Sequence, residues 1–300
     1  MSRAQEAFKE MARSDPDLAA RLVLMGLPVA ARRIQGELTY DLTVEGWGTY
    51  RVSKHNGTAT VDKRPEQSGE VDRPEAGVDF TMAMDARTLA QMAAGASPAR
   101  LMIDGRLRIR GKRRRALKLR AMAEGDLDLS EILRGGEQID PDLLYRSLEY
   151  LIDPEWTKGH TFTIVYELDG RAWQVEVRDG NRPTVASGHP SGKADATVRL
   201  TMDTFNALLT GEMTPTTAMQ KDLTNVEGEI YPVTLLGRWM ERAQGRDEKE
   251  MARERDQRAR QTERIGSWGG SRGETNGASR KGTDGLLDYP ELYALWERQN

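Results

Sequence analysis

The chain has 300 residues, a length that favours two domains over one. Its 44 lysines and arginines and 47 aspartates and glutamates leave a net charge of -3, so no chain-wide field favours nucleic acid. The chain contains no cysteine, which excludes disulfides, thiolate zinc sites, iron–sulfur clusters and cysteine nucleophiles. The amino terminus lacks the pattern of a signal peptide, and no apolar run approaches the roughly 18 residues of a membrane span. We therefore expect a soluble, cytoplasmic protein.

An internal repeat organises most of the chain. The tetrapeptide Asp-Pro-Asp-Leu occurs at residues 15–18 and again at 140–143, and residues 78–98 resemble residues 194–215. Because the same order of patterns follows each tetrapeptide, the sequence predicts two copies of one domain. The two predicted domains span residues 14–125 and 139–245.

The first elements of each copy are a helix and a hairpin. Asp15 and Asp140 are suited to cap a helix whose first residue is the proline that follows. Alternating apolar and polar residues at 38–44 and 161–166 then predict a strand. Each of these strands is followed by a turn that contains glycine and by a second strand.

The second half of each copy is predicted to contain a strand, a helix and a last strand. The third strand, at 79–84 or 196–200, leads into a helix that ends at Gly95 or Gly211. A short turn that begins with proline precedes the last strand and a terminal helix. The last strand is predicted at 101–110 and 226–230. This order indicates an α+β fold in which helices cover one face of a mainly antiparallel sheet.

The repeat resembles the sterol carrier protein family, of the type-2 lipid-binding kind. The resemblance is carried by D-F-T-M-A-M-D, which starts at Asp79, and by G-R-L-R-I-R-G, which starts at Gly105. The first copy matches at Asp79, Gly95, Pro98, Gly105, Leu107, Ile109 and Gly111. The second copy keeps Asp195, Gly211, Pro215 and Gly228, but it has Asp222 and Thr224 where the family has glycine and leucine. The resemblance implies tandem domains, each with a five-stranded sheet and helices that enclose an apolar tunnel for fatty acyl chains, sterols or similar lipids.

Apolar residues in and around the predicted helices would form the wall of such a tunnel. In the first copy these residues are Leu89, Met92, Met102, Leu117 and Leu119. In the second copy they are Phe205, Leu208, Met219, Leu235, Leu236, Trp239 and Met240. The alternative is that they form an ordinary core, as apolar residues at helical spacing usually do.

A dense run of basic residues follows Gly105. It contains Arg106, Arg108, Arg110, Arg113, Arg114 and Arg115. Alternation along the predicted strand places the first three of these arginines on one face. Such a surface suits an anionic membrane or the phosphates of an acyl-CoA, and the alternative is an ordinary solvated face. Nucleic acid is disfavoured because the run lacks aromatic stacking residues.

The sequence shows no catalytic or metal-binding motif. His55, His160 and His189 are isolated, without the helical spacing or nearby carboxylates of a metal site. The nucleophile motif G-x-S-x-G does not occur. We therefore expect a protein that is not an enzyme and that uses no metal and no cofactor.

The end of the chain differs in composition from the repeats. Residues 246–285 begin with densely alternating charge and continue into a Gly- and Ser-rich stretch, which predicts a charged helix or spacer and then a flexible linker. Residues 286–300 are again rich in aliphatic and aromatic residues, which favours a peptide that docks on a partner protein. The predicted docking residues are Leu287, Leu292, Leu295 and Trp296. The alternative is that this segment packs on the chain's own domains.

These patterns together predict a non-catalytic intracellular carrier that buries a fatty acid, an acyl-CoA or a sterol-like ligand in an apolar cavity. Burial of hydrocarbon supplies most of the affinity, at about 0.8 kcal/mol per CH₂ group, so little polar specificity is needed. Peripheral membrane contact and a partner protein are the further expected interactions. The alternative hypothesis is an interaction module with closed cores, whose C-terminal peptide docks to a partner enzyme.

Overall fold

The structure is a computed structural model that describes residues 3–65, 74–119 and 139–243. The first copy begins with helices α1 (Arg3–Ser14) and α2 (Pro16–Arg32). Its strands are β1 (Leu38–Val44), β2 (Gly48–His55), β3 (Thr58–Arg64), β4 (Phe80–Met84) and β5 (Arg108–Gly111). Its remaining helices are α3 (Ala86–Ala93) and α4 (Pro98–Ile103) before β5, then α5 (Arg113–Ala116) and a 3₁₀ turn (Leu117–Leu119) after it.

The second copy repeats this order. It begins with helix α6 (Pro141–Leu151). Its strands are β6 (Phe162–Leu168), β7 (Arg171–Val177), β8 (Thr184–Ser187), β9 (Ala196–Leu200) and β10 (Thr224–Gly228). Its other helices are α7 (Met202–Thr210), α8 (Pro215–Gln220) and α9 (Ile230–Ala243).

The two sheets have the same topology. Each is five-stranded, in the order β3-β2-β1-β4-β5 and β8-β7-β6-β9-β10. The central pairs, β1 with β4 and β6 with β9, are parallel, and the other pairs are antiparallel. The prediction of two α+β domains with mainly antiparallel five-stranded sheets is confirmed.

The predicted helix caps are present in both copies. The Leu18 N–H donates to Asp15 Oδ1 at 3.1 Å, and the Asp142 N–H donates to Asp140 Oδ1 at 3.0 Å. A proline occupies the first position of each helix, where its missing N–H costs no hydrogen bond. The tetrapeptide therefore fixes where the first long helix of each sheet begins.

Apolar cores lie between each sheet and its helices. On β1 the even-numbered residues Leu38, Tyr40, Leu42 and Val44 are buried in the first core, as the alternation predicts. The Tyr40 and Phe80 rings stack with centroids 5.1 Å apart. In the second copy the core contains the fully buried Ile164, Trp173 and Leu236.

The structure shows why both copies have a glycine at the end of their last strand, Gly111 and Gly228. Both end the last strand of their sheet with a positive φ, 97° and 90°. A Cβ at Gly111 would lie 2.7 Å from the carbonyl oxygen of Asp79, and a Cβ at Gly228 would overlap that of Asp195. Only glycine fits because the neighbouring strand passes too close for a side chain.

The last strand of the first copy is shorter than predicted, and that of the second copy is shifted by two residues. The prediction of a strand from 101 is wrong, because residues 98–103 form helix α4 and β5 starts at Arg108. Proline at the first position favours this helix, and Leu101 is buried beneath it. In the second copy the strand spans Thr224–Gly228 rather than 226–230.

Besides the short helices α4 and α8, which were predicted as turns, one helix and two strands were not predicted from the residue pattern. Helix α1 precedes the first tetrapeptide, and β3 and β8 form one edge of each sheet. Both edge strands are mainly exposed or half-buried, so they lack the regular apolar alternation that marks an inner strand.

The two copies pack against each other through their first helices. Arg3 donates to the carbonyl oxygen of Tyr150 at 2.8 Å, and Arg146 pairs with Asp15 at 2.5 Å. Leu143 of α6 is buried in the first core, and Val29 of α2 is buried in the second. Each core therefore includes a side chain from the other copy.

Candidate functional site

The predicted tunnel residues of the first copy lie mostly between the sheet and its helices. Leu89 is buried in the first core, and Met92 and Leu119 are half-buried against it. Met102 is different, because it lies at the surface with 36% of its area exposed. The side chain of Leu117 lies outside the described part of the chain.

Helix α3 packs on α1 and α2 and brings Leu89 and Met92 to the first core. Asp85 caps this helix, and the Thr88 N–H donates to its Oδ1 at 2.6 Å. The cap fixes the first turn, and the spacing of three residues then places Leu89 and Met92 on one helix face.

The predicted tunnel residues of the second copy are all buried or half-buried. Phe205, Leu236 and Trp239 belong to the second core, and Leu235 and Met240 pack against it. Leu208 and Met219 are half-buried on α7 and α8. The structure therefore groups Phe205, Leu235, Leu236, Trp239 and Met240 in the second core, whereas Leu208 and Met219 lie outside that group.

An aromatic group in the second core was missed at the sequence level. Tyr145 of α6 stacks on Trp173 and Phe205, with centroid distances of 5.2 and 5.9 Å, and lies 5.2 Å from the tilted ring of Tyr166. Burial raises the pKa of Tyr145 well above its ordinary value. Its hydroxyl has no hydrogen-bond partner among the described residues. The periodicity of α6 could have indicated that Tyr145 faces the core.

The basic run is anchored on Asp79. Lys112 Nζ lies 3.1 Å from Asp79 Oδ1, and Arg115 Nη1 lies 2.7 Å from Oδ2, which also accepts the Thr39 N–H at 3.3 Å. Burial alone would raise the pKa of Asp79, but these hydrogen bonds outweigh it and hold the pKa below its ordinary value. Part of the basic run is therefore neutralised by a carboxylate of the chain itself.

The six arginines of the predicted anionic-surface site have different surroundings. Arg108 is exposed and pairs with Glu45 at 2.8 Å, and Arg110 lies two residues further along β5. Arg106 precedes the strand, so the prediction that it shares a strand face with Arg108 and Arg110 is wrong. Arg114 is exposed, Arg115 pairs with Asp79, and the side chain of Arg113 lies outside the described part of the chain.

An exposed aliphatic pair at the end of α4 comes just before the basic run in the sequence, and the exposure of Ile103 was not predicted. Ile103, at the end of α4, has 86% of its area exposed, and Met102 precedes it. The pair lies in sequence between Arg100 and Arg106. An exposed isoleucine close in sequence to arginines can offer an apolar contact in addition to cationic ones.

The predicted linker and docking peptide fall on residues that the structure does not describe. Residues 246–285 and the docking residues Leu287, Leu292, Leu295 and Trp296 lie outside the described residues. Within the described ranges, no helix is long and apolar enough to cross a membrane. The same ranges contain no cluster of three or more histidine or acidic side chains able to hold a metal ion.

Comparison with known protein families identifies the class of the chain. The model of the SCP-2 sterol transfer family matches residues 31–124 and 148–239. These two regions make up more than half of the sequence, so the chain belongs to this family and contains two copies of its domain. Membership places the chain among lipid-binding and lipid-transfer proteins.

The solved structures that this chain matches have low sequence identity to it. Sterol carrier protein 2 from Yarrowia lipolytica, in its apo form, is 20% identical with a TM-score of 0.26, and the match covers 40% of this chain and 96% of that one. Sterol carrier protein 2 like 2 from Aedes aegypti is 17% identical with a TM-score of 0.25, and the match covers 31% of this chain and 88% of that one. The sec-alkylsulfatase Pisa1 from Pseudomonas sp. is 20% identical with a TM-score of 0.32, and the match covers 52% of this chain and 24% of the enzyme. This chain thus spans about a quarter of that enzyme's length. A search of curated proteins found no match.

Proposed function

We propose that the protein is a non-catalytic cytoplasmic lipid carrier, which buries a fatty acyl or sterol-like ligand between the sheet and the helices of at least one copy. The observation that carries the proposal is the duplicated SCP-2 domain with an apolar layer on the helical side of each sheet. In each copy a half-buried residue, Met92 or Leu208, lies on the helix that follows the parallel strand. Half-buried apolar side chains on one helix can move apart for a ligand at less cost than fully buried ones.

Binding in this proposal is driven by removal of hydrocarbon from water. Each buried CH₂ group contributes about 0.8 kcal/mol, so an acyl chain needs few polar contacts. Flexible methionines such as Met92, Met219 and Met240 suit a wall that accepts chains of different shape. The two copies need not bind equally, because the second departs from the family pattern at Asp222 and Thr224.

The basic surface has a supporting role in this proposal. Arg114 is exposed, and Ile103 projects from the end of α4 in the same copy. Cations attract an anionic membrane by about 1 kcal/mol each, and an exposed isoleucine can enter the interface between head groups and acyl chains. We propose that the first copy contacts the membrane from which lipid is taken.

The test is binding of a fluorescent fatty acid and its displacement by unlabelled long-chain lipid. The expected result for the full chain is saturable binding, and native mass spectrometry with organic extraction should find lipid in the purified protein. Met92→Glu should remove the site of the first copy, and Leu208→Glu that of the second, because a carboxylate in the apolar layer opposes hydrocarbon.

The matched control is Ile103→Glu, which introduces the same charge at a position that is 86% exposed. It should leave fatty acid binding in solution unchanged. Thermal unfolding followed by circular dichroism shows whether each variant is folded. Full binding by folded Met92→Glu and Leu208→Glu proteins would show that the proposed walls are wrong.

A further inference from the structure

A cavity of about 380 Å³ lies where the two copies of the domain meet. Its volume is typical of a small-molecule site. The wall comes from α2, the turn between β1 and β2, strands β2 and β3, and helix α6 of the second copy. Its main lining residues are Arg21, Leu24, Trp47, Tyr50, Lys63 and Leu143. None of them belongs to the tunnel residues predicted from the sequence.

The cavity combines an apolar floor with a cationic rim. Leu143 is buried, and Leu24, Trp47 and Tyr50 are half-buried. Arg21 and Lys63 are exposed at the rim. The site therefore offers hydrocarbon contacts below and positive charge above, which is the arrangement that matches an amphiphile.

The two rim cations are available to an anion. Arg21 lies over the Trp47 ring, with its guanidinium carbon 4.7 Å from the ring centroid. Such stacking orients the guanidinium plane but leaves its N–H groups free to donate at the edge. Across the part of the chain that the structure describes, neither Arg21 nor Lys63 lies within ion-pair distance of a carboxylate. Two unpaired cations at one cavity repel each other, and a bound anion would relieve that repulsion.

The corresponding place in the second copy is filled. Tyr50 pairs with Leu42 in the first sheet, and Trp173 pairs with Tyr166 at the equivalent position of the second. Trp173 is 1% exposed, and its Nε1–H donates to Asp142 at 2.5 Å. The second copy therefore has a buried indole at the position where the first copy has a half-buried tyrosine that lines a cavity.

The rim charges are also specific to the first copy. Lys63 pairs with Tyr50 across β2 and β3, whereas Ser187 holds this position beside Trp173. Counting from the repeated tetrapeptide, Arg146 corresponds to Arg21, but it is paired with Asp15. In the second copy this position therefore has a buried indole and an ion-paired arginine, whereas in the first copy it borders a cavity with two exposed cations.

We propose that the interdomain cavity binds the anionic head group of an amphiphile, a carboxylate or a phosphate, between Arg21 and Lys63. The carbons next to the head group then lie on Trp47, Tyr50 and Leu143. This inference rests on the proposed lipid-binding function and adds to it the class of ligand. It also assigns a role to the duplication, because Leu143 from the second copy completes a site built on the first.

The test compares three twelve-carbon probes on the full chain: dodecanoate, dodecyl phosphate and uncharged dodecanol. Binding is followed by calorimetry, and contact with Trp47 by quenching of tryptophan fluorescence with bromododecanoate. The double variant Arg21→Gln/Lys63→Gln should weaken binding of the anionic probes by about tenfold or more, the equivalent of one strong charge-assisted contact. It should change dodecanol binding by less than about twofold. The matched control is Lys221→Gln, which removes an exposed lysine from the second copy.

The quenching experiment locates the bound probe. Trp47→Phe should remove a large part of the quenching by bromododecanoate while the affinity for dodecanoate falls little. Preference for either the carboxylate or the phosphate supports the inference and identifies the head group. Anionic binding that is unchanged in Arg21→Gln/Lys63→Gln, or quenching that is unchanged in Trp47→Phe, overturns it.

The outcome is separable from that of the tunnel experiments. If Met92→Glu and Leu208→Glu have no effect while Arg21→Gln/Lys63→Gln abolishes binding of dodecanoate, the tunnels are wrong and the interdomain site stands. If dodecanol and dodecanoate bind equally and Arg21→Gln/Lys63→Gln has no effect on either, the proposal of an interdomain site is wrong. The proposed carrier function is unaffected by that result.

Discussion

Asp79 and Asp195 hold the same place in the two sheets, but their side chains have different partners. Each carboxylate accepts a backbone N–H from the neighbouring strand, from Thr39 at 3.3 Å and from Thr163 at 2.7 Å. Asp79 is buried and also binds Lys112 and Arg115, whereas Asp195 is exposed and has no cationic partner among the described residues. One position has therefore become an ion-pair centre in the first copy and has stayed a simple backbone link in the second.

The first prediction concerns the stability that Asp79 contributes. Asp79→Asn should lower the free energy of unfolding by about 1–3 kcal/mol at neutral pH, because it removes charge-assisted hydrogen bonds from a buried acceptor. Asp195→Asn, the matched control, should cost less than about 1 kcal/mol because the site is exposed. Urea unfolding measures both values, and equal losses at the two positions would contradict the ion-pair assignment.

The same substitution has a defined pH dependence. The folded-state pKa of Asp79 lies below that of the unfolded chain, about 3.9. Its contribution is therefore complete above the unfolded-state pKa and is lost as the pH falls through the lowered folded-state pKa. The difference in unfolding free energy between the natural protein and Asp79→Asn should shrink as the pH is lowered from about 6 to about 2. A difference that grows on acidification would mean that the pKa is raised.

The second prediction concerns Gly111. Gly111→Ala should destabilise the first copy by about 2–4 kcal/mol, because the new Cβ meets the Asp79 carbonyl oxygen in a backbone that also has a positive φ. Gly105→Ala is the control, since Gly105 has a similar positive φ of 72° and no atom within 4 Å of a built Cβ. It should cost only about 1–2 kcal/mol, the expense of the left-handed backbone. Thermal and urea unfolding measure both losses. If Gly111→Ala and Gly105→Ala cost the same stability, the close contact between the strands is unimportant.

Elements set by neighbouring residues were predictable from the sequence, and features that depend on tertiary packing were not. The repeated Asp-Pro-Asp-Leu and the alternation over β1 and β6 predict the helix starts and the inner strands, because capping and burial act over a few neighbouring residues. The edge strands β3 and β8 could not be found in this way, since one face and one edge of each are solvated. The cavity beside Trp47 could not be predicted from the sequence either, because it depends on how the second copy packs Leu143 against the first.

The third prediction tests the exposed aliphatic tip of α4. Ile103→Asp should weaken binding to phosphatidylserine vesicles by about tenfold, because it removes the apolar contact and adds like charge. Leu223→Asp is the matched control, since Leu223 is 40% exposed at the equivalent turn of the second copy, next to Asp222. Cosedimentation at low salt measures the effect. Equal effects of the two substitutions would remove the first copy's special role.

Replacement of Arg113, Arg114 and Arg115 by Gln tests the electrostatic part of the same surface. Vesicle binding should weaken, and its dependence on salt should flatten, because fewer charges are screened. Phosphatidylcholine vesicles provide the uncharged comparison. Binding that is unaltered at low salt would indicate an ordinary solvated face.

The fourth prediction concerns the C-terminal peptide. Truncation after Gly266 removes Leu287, Leu292, Leu295 and Trp296 and should leave the melting temperature and fatty acid binding unchanged. A pull-down with the full chain should retain a specific partner that the truncated chain loses. If the melting temperature instead falls by several degrees and no partner is lost, the peptide packs on the chain's own domains.

The exchange of Leu143 and Val29 between the two cores makes the halves of this protein mutually dependent. Neither half, isolated from the other, would have a complete interior, since each would lack one buried side chain and expose the apolar surface on which that side chain rests. We therefore expect the two copies to unfold together, in one melting transition and not in two.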